Sequence, residues 1–387
     1  MTKDEIEIYI NTLIEDENNF KNKSGSSSKK TEKLGKKNLD LQQTTNNLIL
    51  FSRSLIDFLS IFIRVKFNKK SINNKKIVYT SKNFCNKVNG EYLDRIVKPL
   101  FTENIIFINQ SKEYVLDKVN NQKVYNLGGL VKFLSIFKRG SSTSLKFLFA
   151  YTTINDLIIK NFNKQDIYIL CFYHLNSLSL IFSKYRHRIN LIEVQHGSII
   201  NYPPYSKPAL IKIVDIFYVK NENTIEYLKT HLCKNFQPEY RLMPYPKVYR
   251  SFTTGLNILY ASTIEINGIH PVFKNFLSQN NNKTNLNLII RLHPREREKE
   301  SLFSEQLNEY KVNYKFDHSE NWLEGNKIEN LIVVSPWSST IEDSYDNNFL
   351  TIIIDPVGRE RFQYLIDNKK CYYSEDLSQT LSKIKLS

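Results

Sequence analysis

Short apolar runs, separated by helix-length stretches of mixed polarity, recur along most of the chain. In the first half these runs are rich in β-branched and aromatic residues, and they predict strands at 76–81, 104–109, 166–174, 190–197 and 215–220. Strands that alternate with helices are typical of βαβ units, in which the strands run parallel. The first half is therefore expected to fold around a parallel sheet.

The same alternation restarts after PYPKVYRSFTTG (244–255), a stretch with two prolines and little periodicity that suits a linker. The later runs predict strands at 256–262, 287–294, 330–336 and 349–356. We therefore expect an N-terminal extension at 1–47, one α/β domain at 48–248 and a second at 249–387. Two doubly wound, Rossmann-like domains facing across a cleft are the simplest architecture, with ligands at the carboxyl ends of the strands.

The N-terminal extension ends in a Ser/Lys/Asn-rich stretch at 21–47, which is expected to be flexible. The most apolar window follows it at 48–67, LILFSRSLIDFLSIFIRVKF. Four charged residues in this window argue against a membrane-spanning helix. Two interpretations stay open for it, a largely buried amphipathic helix and a helix that lies in a membrane interface.

Composition narrows the class of protein only slightly. The 387 residues carry a formal net charge of +15, which suits an acidic partner such as a lipid surface or a phosphate-bearing substrate but also fits drift in a chain rich in Lys, Asn and Ile. Four scattered cysteines predict reduced thiols rather than a metal site. The acidic N-terminus does not resemble a signal peptide, so a cytoplasmic location is expected, with peripheral contact to the inner membrane left open.

Three groups of polar residues fall where predicted strands end. In EVQHG, Glu193, Gln195 and His196 follow an apolar run, and Gly197 permits a turn. A neutral imidazole can take a proton from a hydroxyl group, although a histidine in this position is more often a structural hydrogen-bonding residue.

The second group is LIIRLHPRE, where a strand runs into Arg291, His293 and Pro294. Alternation places Arg291 and His293 on one side of the strand, and Pro294 prevents the ladder from continuing. A His and an Arg in this position can hold a phosphate through charge-assisted hydrogen bonds. A plain strand end with solvated arginines is the alternative.

The third group is SPWSSTIED, in which Ser338, Ser339 and Thr340 open a predicted helix that contains Glu342. Serine and threonine at such a position ordinarily cap the helix. The same groups can bind an anion, and Glu342 could reach a ribose diol. The sequence has no Gly-rich dinucleotide or phosphate loop, which argues against dehydrogenases and ATPases.

Taken in order, QHG, a strand ending in HP, and SST opening a helix with a following Glu, the chain resembles bacterial GT-B-fold transferases of surface-polysaccharide synthesis. Among these it is similar to transferases that use CMP-activated sugars (sialyl- and Kdo-type) and to CDP-glycerol glycerophosphotransferases. The resemblance covers about residues 76–370. It rests on the order of short motifs, and the chain lacks the acidic-acidic-Gly motif of several sialyl- and Kdo-transferases.

The resemblance implies a role for each matched residue. His293 and Pro294, with Arg291 beside them, would contact the cytidine nucleotide. Ser338, Ser339 and Thr340 would bind its phosphate, and Glu342 its ribose. Gln195 and Gly197 would lie on the acceptor side. His196 is the first candidate for the catalytic base, followed by Glu193 and Asp94.

The expected function is inverting, metal-independent transfer of a sugar from a nucleotide-activated, CMP-linked donor to a capsule or lipopolysaccharide glycan acceptor. No cofactor, no metal and no nucleic-acid partner are expected. The expected partners are the nucleotide-sugar donor and a glycan or lipid-linked glycan acceptor, and contact with the inner-membrane surface stays open. The alternatives are a CDP-glycerol-type glycerophosphotransferase, a nucleotide-sugar epimerase and a scaffold that keeps the fold without catalysis.

Overall fold

A computed structural model of the chain describes residues 8–13, 15, 39–67, 75–80, 105–110, 118–119, 122–137, 143–195, 197, 199–243, 255–264, 266–280, 286–319, 322–326, 328, 330–367 and 371–384, with side chains in the long first helix from residue 49 onwards. The described residues form two compact units. Unit 1 takes those within Met1–Asp16, Lys29–His196 and Pro203–Met243, and unit 2 takes Gly197–Tyr202 and those within Pro244–Ser387.

The strands of unit 1 are β1 (Lys76–Thr80), β2 (Ile105–Asn109), β3 (Lys118–Val119), β4 (Gln122–Asn126), β5 (Gln165–Ile169), β6 (Ile189–Val194), β7 (Ile216–Val219) and β8 (Glu239–Leu242). Its helices are α1 (8–13), α2 (Leu39–Phe67), α3 (Gly128–Ile136), α4 (Thr143–Ile159), α5 (Leu175–Ile181) and α6 (Glu222–Thr230). The eight strands form one sheet in the order β3-β4-β2-β1-β5-β6-β7-β8. All pairs are parallel except the β3–β4 pair.

The strands of unit 2 are β9 (Leu256–Ala261), β10 (Leu286–Arg291), β11 (Tyr314–Phe316), β12 (Leu331–Ser335), β13 (Leu350–Ile353) and β14 (Cys371–Tyr373). Its helices are α7 (Pro271–Gln279), α8 (Glu300–Asn308), α9 (Trp322–Gly325), α10 (Thr340–Asp346), α11 (Pro356–Arg361), α12 (Gln363–Asp367) and α13 (Leu377–Ile384). All strands are parallel, in the order β11-β10-β9-β12-β13-β14.

Both sheets follow the same winding scheme. Numbered within its own unit, the second sheet has the order 3-2-1-4-5-6, which is the Rossmann order, and the first has it too once the β3 hairpin strand is set aside and one strand is added at the far edge. Such a sheet is covered on both faces, which explains the continuous apolar strands. In β9, Ile258 and Tyr260 enter one buried cluster while Leu259 and Ala261 enter another.

The two parallel α/β sheets of a GT-B-like fold are therefore present, and the predicted fold class is confirmed. All nine predicted strands form, whereas the sequence did not indicate β3, β4, β8, β11 and β14. Helix α2 begins at Leu39 rather than near residue 48, so the last part of the stretch predicted to be flexible is helical. Of the predicted linker, Gly255 lies within the described residues, and its φ of 92° is one that glycine readily adopts.

Candidate active site

The most complete group of site residues lies at the carboxyl edge of the unit 2 sheet. Strand β9 is central there, because the chain runs outward from it through β10 and β11 and then crosses back to β12 on its other side. Ligands in such sheets bind outside the carboxyl ends at this switch point. The register places Ala261 beside Arg291 of β10, and Tyr260 beside Val334 of β12. The HP and Ser motifs therefore begin at the same level, on either side of β9.

His293 is held at this edge by its backbone. Its N–H donates to Ser262 Oγ at 2.8 Å, and the Ser262 hydroxyl donates to Glu296 Oε2 at 2.6 Å. The Glu296 N–H donates back to the His293 carbonyl at 2.7 Å, which closes a tight turn after Pro294. Glu296 is fully buried, while His293 is half-buried and Pro294 is exposed. The turn thus fixes the His293 backbone and leaves its imidazole partly accessible.

Arg291 makes contacts different from those that the motif implied. Its guanidinium donates to Asp317 Oδ2 at 2.7 Å and to the Ser319 carbonyl at 3.0 Å. Burial would raise the pKa of Asp317, but the Arg291 charge and the hydrogen bonds from Ser319 outweigh it and hold that pKa below its usual value. The pair links β10 to the loop after β11. A role for Arg291 in binding a nucleotide stays a prediction.

The Ser motif is anchored to the same edge by Ser335. The Ser335 hydroxyl donates to the Ala261 carbonyl at 2.9 Å and accepts from the Ser338 N–H at 3.1 Å. Ser338 Oγ in turn accepts from the Thr340 N–H at 3.3 Å and donates to Thr340 Oγ1 at 3.1 Å. A continuous set of hydrogen bonds and one peptide link therefore connects His293, through Ser262 and Ser335, to Ser338.

The helix-capping role expected at this motif falls to Ser338 rather than to Ser339. Ser339 occupies the N-cap position of α10, but it has helical backbone angles and its side chain makes no capping hydrogen bond. Ser338 and Ser339 are both half-buried, whereas Thr340 is buried. Phosphate binding by these three residues stays a prediction.

Glu342 lies inside the unit, at 1% exposure. Its Oε1 accepts a hydrogen bond from the Tyr364 hydroxyl at 2.8 Å, so a protein group already contacts this carboxylate. Burial, followed by the negative charge of Glu342, raises the pKa of Tyr364 well above its usual value. Tyr364 therefore stays a hydrogen-bond donor over the physiological range, and ribose binding by Glu342 stays a prediction.

A second pair of loops at this edge is joined by His270 and Asp355. His270 Nε2 lies 3.1 Å from Asp355 Oδ2, and His270 Nδ1 accepts from the Val272 N–H at 3.2 Å. Because Nδ1 accepts, the proton lies on Nε2, which donates to the carboxylate. Asp355 also caps α11 through the Val357 N–H at 2.7 Å. One histidine thus ties the loop after β9 to the loop after β13.

The acceptor-side motif in unit 1 is built differently. Glu193 is completely buried, and its Oε1 accepts a hydrogen bond from the Tyr205 hydroxyl. Burial raises the pKa of Glu193 to about 8, although the hydrogen bonds from Tyr205 and from the Phe172 backbone act in the opposite direction. A general base must reach the proton that it removes. The buried position of Glu193 favours a structural role, and its role as a base stays a prediction.

Gln195 also stabilises the unit 1 sheet through hydrogen bonds. Its side-chain Oε1 accepts from the Lys220 N–H at 2.8 Å, and its own N–H donates to the Tyr218 carbonyl at 2.9 Å. At Gly197, an added Cβ would meet no described atom within 4 Å, so close packing does not explain this glycine. His196 and Asp94 lie outside the described residues. The catalytic and acceptor-side roles of these residues stay predictions.

Four side chains that hold the motif residues in place were not among the predicted site residues. Ser262, Ser335 and Tyr364 position the motifs, and Glu296 anchors the turn after His293. The sequence held one indication of Ser262 and Ser335. Ser262 directly follows the apolar strand β9, and Ser335 is the last residue of the apolar strand β12, which lies beside β9. Among the described residues no group of three or more His, Cys, Asp or Glu side chains is arranged to hold a metal ion.

Neither a protein-family model nor a curated protein sequence matches this chain. Solved structures similar to it include MurG of Acinetobacter baumannii, which is 10% identical with a TM-score of 0.45 over 78% of this chain and 85% of that one. The lipopolysaccharide outer core galactosyltransferase WaaB is 11% identical, with a TM-score of 0.41 over 72% and 80%. The UDP-GlcNAc 2-epimerase of Neisseria meningitidis, solved with UDP-GlcNAc, is 10% identical, with a TM-score of 0.40 over 77% and 86%.

Proposed function

We propose that this chain is a glycosyltransferase that moves a sugar from a nucleotide-activated, CMP-linked donor to a capsule or lipopolysaccharide glycan. One observation carries the proposal: the HP and Ser motifs, 45 positions apart from His293 to Ser338, meet at the switch point of a Rossmann-ordered sheet. Such a position is where a nucleotide binds in this class of sheet. The order of the motifs supports the transferase reaction over other uses of that site.

In the proposed reaction, bond cleavage leaves negative charge on the donor phosphate. The half-buried His293 imidazole and the hydroxyl groups of Ser338 and Ser339 would donate hydrogen bonds to those oxygens. Their backbones are fixed by Ser262 and Ser335, so little reorganisation is required when the charge develops. Inverting, metal-independent transfer is part of this proposal.

The acceptor hydroxyl would lose its proton to a base on unit 1. His196 remains the first candidate for this role, because Glu193 is buried under Tyr205 and its raised pKa of about 8 leaves it mostly protonated at neutral pH. A protonated, inaccessible carboxyl cannot accept the proton of a bound sugar. The proposal therefore assigns Glu193 to the support of the loop after β6 rather than to the chemistry.

A nucleotide titration tests the donor site. CMP, CDP, UDP and GDP are each titrated by calorimetry into the wild type, His293→Ala and His231→Ala. His231 is an exposed histidine at the end of α6 and serves as the matched control. We expect the cytidine nucleotides to bind best, and His293→Ala to weaken that binding about tenfold to hundredfold, the range for loss of a hydrogen bond to a charged group.

Two results would overturn the proposal. Absence of binding by all four nucleotides would favour a non-catalytic scaffold, and equal binding by wild type and His293→Ala would remove the donor-site assignment. Binding followed by release of free CMP from a CMP-sugar, lost in His293→Ala but retained in His231→Ala, would support transferase chemistry.

A further inference from the structure

Helix α2 has two apolar faces, and only one of them is buried. Ser54, Ile61 and Val65 point into unit 1 and are at most 3% exposed. Five large apolar side chains point away from it, with exposures of 46–74%: Ile49, Ile56, Leu59, Ile63 and Phe67. At about 100° per residue these five fall within an arc of about 80° on the side of the helix opposite the buried residues. Single exposed apolar residues are ordinary, but an ordered stripe indicates a contact surface.

Helix α3 adds three more exposed apolar side chains, Phe133, Ile136 and Phe137. The Phe133 ring lies 4.6 Å from the ring of Phe51 in α2 and 5.1 Å from the ring of Phe137. Phe133 therefore joins the exposed side chains of α3 to α2. We call these eight exposed apolar residues, seven in α2 and α3 and Phe137 directly after α3, the apolar face.

The two helices that carry the apolar face are locked together. The Gly129 N–H of α3 donates to Ser54 Oγ of α2 at 3.0 Å. A Cβ added at Gly129 would lie only 2.4 Å from the Leu50 carbonyl oxygen, so the backbones approach as closely as glycine allows. The face is a fixed surface of unit 1.

Positive charge borders the apolar face. Arg53, Lys66 and Lys132 are exposed on α2 and α3, and the Lys66 ammonium lies 5.2 Å from the Phe67 ring centroid. The acidic residue of the 49–67 stretch, Asp57, is turned toward the sheet, where it accepts from the Asn126 N–H at 2.9 Å and pairs with Lys123 at 3.3 Å. In sequence, the stretch 21–38 just before α2 holds seven lysines and one glutamate.

We propose that the apolar face docks on an anionic lipid bilayer, with α2 lying along the surface. Apolar side chains would enter the headgroup boundary while the lysines and arginines meet anionic headgroups. The charge pattern favours lipid over a second copy of this chain, because two copies would bring together the same cationic rims on molecules of net charge +15. Within the described part of the chain, no helix combines the length and apolarity needed to cross a membrane.

The test is co-sedimentation with vesicles of phosphatidylcholine, alone or with about one-third phosphatidylglycerol. The variant Ile56→Glu/Ile63→Glu places two charges in the apolar face. Leu210→Glu is the matched control, because Leu210 is 60% exposed in a unit 1 loop that belongs to neither α2 nor α3. We expect wild type and Leu210→Glu to bind only the anionic vesicles, and the double variant to bind at least about tenfold more weakly.

A second, conservative variant tests the proposal even if the double variant fails to fold. Ile63→Trp keeps the site apolar and reports on its surroundings, since the native Trp322 and Trp337 are buried in unit 2. With anionic vesicles the added indole emission should shift to the blue and be quenched by brominated lipid chains. Absence of wild-type binding, equal binding by the double variant, or an unquenched signal from Ile63→Trp would each overturn the proposal.

The proposal is independent of the nucleotide site. The double variant should bind CMP as the wild type does, so a failure of nucleotide binding and a failure of lipid binding are separate results. If the wild type is dimeric in solution and the double variant monomeric, with no lipid binding by either, the face is an interface between copies and the lipid proposal is wrong.

Discussion

The carboxyl edges of the two sheets use polar residues in opposite ways. In unit 2 the motif residues His293, Ser338 and Ser339 are half-buried and are positioned by groups behind them. In unit 1 the motif residues Glu193 and Gln195 are themselves buried and support the sheet. The described motif side chains are thus partly accessible at three positions of unit 2, beside the buried Thr340 and Glu342, and are buried at Glu193 and Gln195 of unit 1. A polar residue at a strand end is a ligand candidate only when its side chain remains accessible.

The largest expected effect concerns the buried Glu193. Its folded-state pKa of about 8 exceeds that of the unfolded chain, so the unfolded state loses its proton first as pH rises. The contribution of this pKa difference to the free energy of unfolding is fully present below about pH 4.5. It falls by roughly 1.4 kcal/mol per pH unit as the pH rises from there, and it is lost by about pH 8. Glu193→Gln should remove that part of the slope in denaturant titrations.

The control for Glu193→Gln is Glu226→Gln, at an exposed position on α6. It should leave the wild-type dependence of stability on pH intact. If Glu193→Gln also retained the full wild-type slope, Glu193 would not be a buried acid with a raised pKa at the edge of unit 1.

A pair of glycine substitutions compares a closely packed position beside the Ser motif with the open position that follows the QHG histidine. A Cβ at Gly358 would lie 1.8 Å from the Pro336 carbonyl oxygen, in the loop that leads to Ser338, whereas a Cβ at Gly197 would meet no described atom within 4 Å. Gly358→Ala should lower the free energy of unfolding by about 3 kcal/mol, since the Pro336 backbone must move. Gly197→Ala should change it by less than about 0.5 kcal/mol. Similar losses in chemical denaturation would contradict the comparison.

The hydrogen bond between the His293 backbone and Ser262 can be removed without changing the His293 imidazole. Ser262→Ala removes the hydroxyl that accepts from the His293 N–H and donates to the buried Glu296 carboxylate, at a cost of about 2 kcal/mol in stability. It should also weaken nucleotide binding, because the His293 backbone is no longer fixed. Ser278→Ala, on the exposed face of α7, is the control. Unchanged nucleotide affinity in Ser262→Ala would show that Ser262 serves folding alone.

The smallest effect is expected from Tyr364→Phe, which removes the hydrogen bond to Glu342. The loss should destabilise unit 2 by about 1 kcal/mol. If Glu342 binds a ribose, the released carboxylate should alter affinity for CMP more than affinity for cytosine base alone. Calorimetric titration of both ligands checks this, and equal changes for the two would argue against ribose binding by Glu342.

The strands that the sequence predicted are those marked by a local apolar run. Runs such as LNILYAS and NLIIRLHP are apolar on both faces because helices cover both sides of a parallel sheet, and they became β9 and β10. The missed strands are short and carry polar or tyrosine residues, as in EYRL of β8 and YKF of β11. Four of them, β3, β8, β11 and β14, lie at sheet edges, where one side needs no partner and a long apolar run is not required.

The positions of the candidate motifs at strand ends could be predicted from the sequence, but their contacts could not. The strand ends that carry His293 and Ser338 could be read from the chain, because Pro294 and Pro336 stop the ladders. The pairing of Arg291 with Asp317, 26 positions away, depends on where β11 lies in the sheet. The burial of Glu193 likewise depends on Tyr205, which lies in a three-residue 3-10 helix (Pro203–Tyr205) that no apolar pattern in the sequence predicts.

The strand order has a consequence for how the chain is made. In unit 2 the first strand to be synthesised, β9, becomes the centre of the sheet, and its second neighbour β12 ends 74 positions after it, from Ala261 to Ser335. At about 5–20 residues per second, the ribosome needs about 4–15 s to supply that strand. During this interval the apolar edge of β9 is open to pairing with other chains. The sheet of unit 2 can therefore be completed only after β12 has left the ribosome.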